Sequence, residues 1–347
     1  MPLSITTDGG ACMTDSPPIA PFAISLGDPA GIGPEIIGKS WEARGSAGLS
    51  PFFAVGDASA FAPHWDGPVQ TIDDPAKAAD VFETALPVMQ VLECGAVTPG
   101  QPSAAGAQCA YQSLEAAVGL ARSGSAGAVI TAPISKAQLY SVGFTHPGQT
   151  EFIAERCGVS RQNAIMMLAG PGLRVVPMTT HIALRDVPDA LSIDLIVERV
   201  QATARGLTRN FGIDNPRIAL AGLNPHAGES GKMGREEEEL FVPAVERLLA
   251  DGCDVTGPLP ADTMFHEEAR IGYDAAVCAY HDQALVPLKT LYFDDAVNIT
   301  LGLPIVRTSP DHGTAFGIAG QNKARASSMI AAIRMASDAV RNRQALD

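Results

Sequence analysis

Apolar positions along the chain fall in short runs separated by Gly- and Pro-rich text, and the runs alternate between two periods. PFAISLGD reads as a buried strand, GDPAGIG as a turn, and PEIIGKSWEARG as a helix opening on Pro34, a favoured first-turn position. PFFAVGD predicts a second strand, and residues 76–93 and 104–122 carry apolar residues at helical spacing. AGAVITAPISK predicts a buried strand running into a Pro-broken loop. The later text repeats the alternation: AIMMLAG, LRVVPMTTH, a helix near 191–210, RIALAG, a helix near 235–250, YDAAVCAYH, NITLGLPIVRTS, and a helix near 322–342. Strands alternating with helices imply an α/β protein with a largely parallel sheet covered on both faces. GESGKMGREEEE predicts an exposed loop entering a helix, with Glu236–Glu239 as its solvated start, favoured by the helix dipole. No linker divides residues 21–342, so they read as a single unit of two interleaved α/β subdomains.

The 347 residues are 46% hydrophobic and 18% charged, enough to bury a large core. A net charge of −14 argues against nucleic acid or an anionic membrane as partner. It also means that an anionic ligand would need locally placed Lys, Arg or N–H groups. Residues 1–20 lack the basic and apolar regions of a signal peptide and read as a flexible leader. No apolar run approaches the roughly 20 residues of a membrane span. Six cysteines without CxxC spacing predict reduced thiols and a cytoplasmic location.

Three of the seven histidines follow apolar, strand-like runs: His181 ends LRVVPMTTH, His226 follows RIALAGLNP, and His281 follows DAAVCAY. Ligands of open α/β sheets bind beyond the carboxyl ends of strands, so these imidazoles can converge on a divalent metal such as Zn²⁺. A hydrogen-bonded structural histidine suits each position equally well. His64 and His266 read as surface or outer residues. Asp282 and Asp262 (in GPLPADT) can orient an imidazole, ligate, or carry a proton, and Asp282 also suits a helix N-cap. Lys289, Asn298 and Arg307, set in apolar and Gly/Pro-rich text, suit a phosphate or carboxylate.

GDPAGIGPEIIG misses the GxGxxG spacing, and GxxxxGK[ST], GxSxG and HExxH are absent. Any nicotinamide cofactor must bind another way. Asp311, His312, Gly313 and Thr314 of DHGTAFGIAG can offer N–H groups to a cofactor phosphate, or can form an ordinary capping turn.

The segments GDPAGIGPE, TAPISK, GQTEF, TTHIALRDVP, GLNPHAGE, GPLPADT, YHDQALVPLK and NITLGLPIVRTSPDHGTAF occur in this order over residues 21–342. In that order the chain resembles the 4-hydroxythreonine-4-phosphate dehydrogenase family of pyridoxal phosphate synthesis. The resemblance implies an isopropylmalate-dehydrogenase-like fold, two intimately connected domains with the active site in their cleft, and a homodimer. It implies a divalent metal (Zn, Mg or Co) on His181, His226 and His281, the last from the partner subunit. It further implies substrate contacts at Thr150, Lys289, Asn298 and Arg307, and NAD or NADP as oxidant. The reaction would be oxidative decarboxylation to 3-amino-2-oxopropyl phosphate, with Asp282, Asp262 and Lys136 as unranked candidates for the base. Two positions depart from the family pattern: Gln149 stands where GHTEF has His, and Gly317 where DHGTAFDIAG has Asp. Gln can hydrogen-bond but cannot carry a proton, so the resemblance still implies a substrate contact at Gln149 but no acid–base or charge-pairing role. Related dehydrogenases of a four-carbon sugar-acid phosphate or an aromatic cis-dihydrodiol carboxylate, and a non-catalytic metal or nucleotide sensor, are the alternative readings.

Overall fold

The computed structural model describes residues 19–346, so the expected leader lies almost wholly outside the described residues. The first half of the chain supplies β1 (Phe22–Ser25), β2 (Phe52–Gly56), β3 (Val69–Ile72), β4 (Leu86–Gln90) and β5 (Val129–Thr131). The rest of the chain supplies β6 (Ile165–Gly170), β7 (Leu173–Pro177), β8 (Ile218–Ala221), β9 (Val255–Leu259), β10 (Ala275–Cys278), β11 (Val297–Leu301) and β12 (Arg307–Pro310). Together they form one sheet in the order β3-β4-β2-β1-β5-β12-β11-β6-β7-β10-β8-β9. Both wings are parallel, and antiparallel pairing is confined to the middle, where β12 meets β11, β11 meets β6, and β6 meets β7. The chain thus returns after β10 to lay β12 parallel to β5, at the junction of the wings.

Period-2 alternation sends neighbouring strand residues into different cores. Ile24 and Phe52 pack in one buried cluster, whereas Ala23 and Phe53 pack in another. Helices cover these faces: α1 (Gly33–Glu42), α2 (Ala104–Arg122), α3 (Lys136–Ser141), α4 (Gln149–Arg156), α5 (Ile193–Phe211), α6 (Val242–Ala250), α7 (His281–Tyr292) and α8 (Ser327–Gln344). Ser103 and Ser192 cap α2 and α5 by accepting from N–H groups of the first turn.

Three sequence expectations are corrected. Residues 76–93 do not form one helix: a single turn, Ala78–Phe82, gives way to β4, because Pro87 cannot continue a helix. NITLGLPIVRTS is two antiparallel strands, separated at Gly302, whose φ of +82° suits glycine. Cys94 and Cys109 form a disulfide, with Cα atoms 5.4 Å apart, rather than two free thiols.

His64, expected near the surface, is buried, and its Nε2 lies 2.8 Å from the Pro29 carbonyl, which makes that nitrogen the donor. Burial holds its pKa below the ordinary 6.5, against the smaller opposing pulls of the Pro29 carbonyl and Glu35. The unfolded chain therefore binds a proton here more readily than the native one does, and stability is lost as pH falls through the imidazole range. Tm is expected to drop between about pH 7.5 and about pH 5.5, and His64→Gln should flatten part of that drop. An identical slope in the variant would remove His64 from the acid response.

Candidate active site

A cleft of about 490 Å³ opens where the two wings meet. Its floor is Arg307, the first residue of β12, only 3% exposed. Asn298 and Thr300 stand two residues apart on β11 and so point to one side of the sheet. Arg307 Nη1 donates to Thr300 Oγ1 at 3.2 Å and to Asn298 Oδ1 at 3.5 Å. Nη2 donates to Thr131 Oγ1 at 2.8 Å and to Gln149 Oε1 at 3.1 Å, while Nε has no partner among the described residues. Every acceptor is neutral. Burial accordingly lowers the guanidinium pKa to about 10, partly offset by the nearby Glu151 carboxylate.

Lys136, Arg161 and Arg199 line the same cleft, against only Glu151 and Asp311. An acidic chain has concentrated positive charge at one concavity, where low-dielectric walls focus it. Glu151 and Lys136 both crowd over Gly148: a Cβ there would lie 3.1 Å from Glu151 Oε2 and 3.8 Å from Lys136 Nζ.

His181, His281 and His226 follow β7, β10 and β8, which are adjacent parallel strands. The rings of His181 and His281 lie 5.7 Å apart in a single chain. The resemblance implies instead that His281 comes from the partner of the chain carrying His181; within one chain the two rings already lie side by side. Nδ1–H of His281 donates to Asp282 Oδ1 at 2.7 Å, which leaves Nε2 free to face a metal. Asp282 is not the N-cap, a position held by Tyr280. Burial, then Lys136 and His281, lower the pKa of His181 against Glu151, favouring the neutral form that ligates metals. His181 and His226 both adopt left-handed backbone, with φ of +56° and +53°. Bulky residues held there mark over-determined, often functional, positions. The donor set suits a divalent metal. Among the described residues, however, no three His, Cys, Asp or Glu side chains of one chain are grouped to hold it.

His226 lies on an exposed loop outside the cleft lining. The acidic run predicted to be solvated is what anchors this loop. Glu237, at 3% exposure, accepts from Asn224 N–H at 2.7 Å and from Asn224 Nδ2 at 2.9 Å, and Glu236 accepts from the same Nδ2 at 2.8 Å. This carboxylate clamp secures the turn two residues before His226.

Other expected residues are only partly assembled. Gln149, Thr150, Asn298, Asp311 and His312 line the cleft with Arg307. Lys289 does not; its Nζ pairs with Asp311 Oδ2 at 3.0 Å. Gly313 and Thr314 also stay outside the lining, and the Thr314 carbonyl accepts from Ile32 N–H at 3.0 Å. Asp262 is exposed in the turn after β9. A Cβ at Gly317 would meet nothing within 4 Å, so Asp is not replaced there at the expense of packing within the chain. Thr131, Thr300 and Glu151 escaped the sequence reading. Each stood in a segment that carried the resemblance: Thr131 opens TAPISK, Thr300 is the third residue of NITLGLPIVRTS, and Glu151 lies two residues after Gln149 in GQTEF.

A family model described as pyridoxal phosphate biosynthetic protein PdxA matches residues 50–336. A relative from Zymomonas mobilis named 4-hydroxythreonine-4-phosphate dehydrogenase is 53% identical, over 94% of this chain and 97% of its own. One of the same name from Erythrobacter litoralis is 54% identical, over 94% and 98%. The solved structure of 4-hydroxythreonine-4-phosphate dehydrogenase from Klebsiella pneumoniae superposes with a TM-score of 0.82 at 38% identity, covering 92% of this chain and 99% of that one. A terephthalate 1,2-cis-dihydrodiol dehydrogenase from Burkholderia xenovorans is more distant, with a TM-score of 0.63 at 28% identity over 92% and 98%.

Proposed function

The chain belongs to the PdxA family of pyridoxal phosphate biosynthetic proteins, and on that premise we propose that it oxidises 4-phosphohydroxy-L-threonine with NAD or NADP. The β-keto acid so formed would lose carbon dioxide to give 3-amino-2-oxopropyl phosphate. The observation that carries this reading is the buried Arg307, caged by neutral acceptors with one N–H unpartnered, in a chain of net charge −14. A buried charge without a counter-ion is costly, and an anionic substrate group supplies the missing one.

Within the cleft, Arg307 and Asn298 hold that anionic group, with Thr150 at the rim. A divalent metal on His181, His281 and His226 would lower the pKa of the substrate alcohol and stabilise developing enolate charge, and the nicotinamide would accept hydride. Asp282 fixes the ring of His281. Of Asp282, Asp262 and Lys136, only Lys136 lines this cleft, so it is the residue placed to move the proton. Asp311 and His312 remain candidates for the cofactor side.

The metal set calls for a homodimer in which His226 comes from the second copy. Leu184 at 66% exposure and Ile182 at 45%, close to His181, and Val286 at 60% on α7, supply exposed apolar surface suited to that contact. No helix among the described residues is long and apolar enough to cross a membrane, which accords with a cytoplasmic enzyme.

Purified protein with a divalent metal should form NADH or NADPH with 4-phosphohydroxy-L-threonine. Turnover only with a cis-dihydrodiol carboxylate or a sugar-acid phosphate would transfer the assignment to that substrate. Metal binding without turnover of any of them would reject catalysis.

A further inference from the structure

Gln149 opens α4 and bridges β12 to the segment just past β5, beside the bond that Arg307 already gives Thr131. Its Oε1 accepts from Arg307 Nη2 at 3.1 Å, and its Nε2 donates to the Ala132 carbonyl, just past β5, at 3.2 Å. These two bonds fix the amide. Reversing it would set an NH₂ against the guanidinium and an oxygen against the Ala132 oxygen. With Thr131 also accepting at 2.8 Å, both hydrogens of Nη2 are committed. The guanidinium is held from the β5–α4 side, while Nε–H has no partner among the described residues.

We infer that Gln149 is a positioning residue that aims Arg307 at the anionic group of the substrate, and that its uncharged amide keeps this aim independent of proton concentration. The inference rests on the reading that Arg307 binds that group. A carboxylate at position 149 would itself neutralise Arg307 and compete with the substrate. An imidazole could accept from Arg307 only while neutral, and on protonation would present a second positive charge to it. The titratable groups facing this point are Lys136 from α3, Glu151 from α4 itself, His181 and His281 from the far wall, and Asp311 and His312 after β12. None of them hydrogen-bonds Gln149 among the described residues.

The test is kcat and KM for the phosphorylated substrate at about pH 8.5 and about pH 6, each variant taken as a ratio to the native enzyme at the same pH. The ratio cancels the titration of the substrate phosphate and of the groups named above. Gln149→Leu should raise KM about tenfold at both pH values, with kcat within about twofold. Gln149→Glu should raise it more, about thirtyfold or above. Gln149→His should be close to native at the higher pH and about fivefold or more worse at the lower. Thermal melts confirm that each variant is folded, and Gln149→His, which keeps an acceptor, serves if Gln149→Leu does not fold. Arg307→Gln separates the two levels. If it leaves KM native, the reading of the cleft fails and this inference with it. If it raises KM while Gln149→Leu and Gln149→His stay native at both pH values, only the inference is overturned. A loss confined to kcat would overturn it as well.

Discussion

Replacing Arg307 with methionine should lower kcat/KM about 10²–10³-fold while leaving Tm unchanged or slightly raised. The two effects have separate origins. A buried guanidinium hydrogen-bonded to an anion is worth about 3–4 kcal/mol on truncation, which is about two to three decades in affinity. In the free protein the same group meets only neutral acceptors, Thr131, Gln149, Asn298 and Thr300. Its desolvation is therefore incompletely repaid by the fold, and an apolar side chain of similar length removes that cost. Opposing this, the hydroxyls of Thr131 and Thr300 lose a donor, at about 1 kcal/mol each. A structural arginine would behave in the reverse way, with a lower Tm and little change in turnover. Native kcat/KM in a folded Arg307→Met enzyme would remove Arg307 from the substrate site.

His226→Ala should abolish metal binding and turnover together while the dimer survives, and mixtures of variants should show where the third imidazole comes from. His181 and His281 are neighbours in one chain, and His226 is outside their cleft. If His226 reaches the site of the partner, a hybrid of His226→Ala and His281→Ala chains contains one intact trio. Random pairing then restores about a quarter of native sites. A hybrid of His181→Ala and His281→Ala chains contains none, because both defects strike the same within-chain pair. Activity regained in that second mixture would mean that His181 and His281 serve from different chains. Failure of both mixtures, with dimers formed, would place all three imidazoles on one chain. Wild-type metal content in His226→Ala would end the assignment altogether.

Several features were legible in the chain before any coordinates. The alternation of strand-like and helical periods located β1, β2, β5, β6, β7, β8 and β10, because each buries a continuous apolar run between covering helices. The placement of His181, His226 and His281 after such runs marked one edge of the sheet. Apolar spacing misled at residues 76–93, where it read as helical although Pro87 ends the helix and pairing with β2 and β3 completes a strand. Local pattern also failed at Glu237: a run of four glutamates looks solvated, and nothing local foretells that Glu237 turns inward and, with Glu236, holds Asn224.

What the sequence by itself determined is the inventory: an α/β chain, its strand-end histidines, and the basic and amide residues able to meet an anion. What only the tertiary structure decided is which of these meet. Gln149 and Arg307 lie 158 residues apart and touch because β12 returns to pair with β5. His281 joins His181 because β10 inserts beside β7, whereas Lys289, equally basic, is drawn to Asp311. Periodicity reports which face of an element is buried; it holds no record of the order in which strands assemble. A site built across that order is therefore set by long-range pairing and not by spacing along the chain.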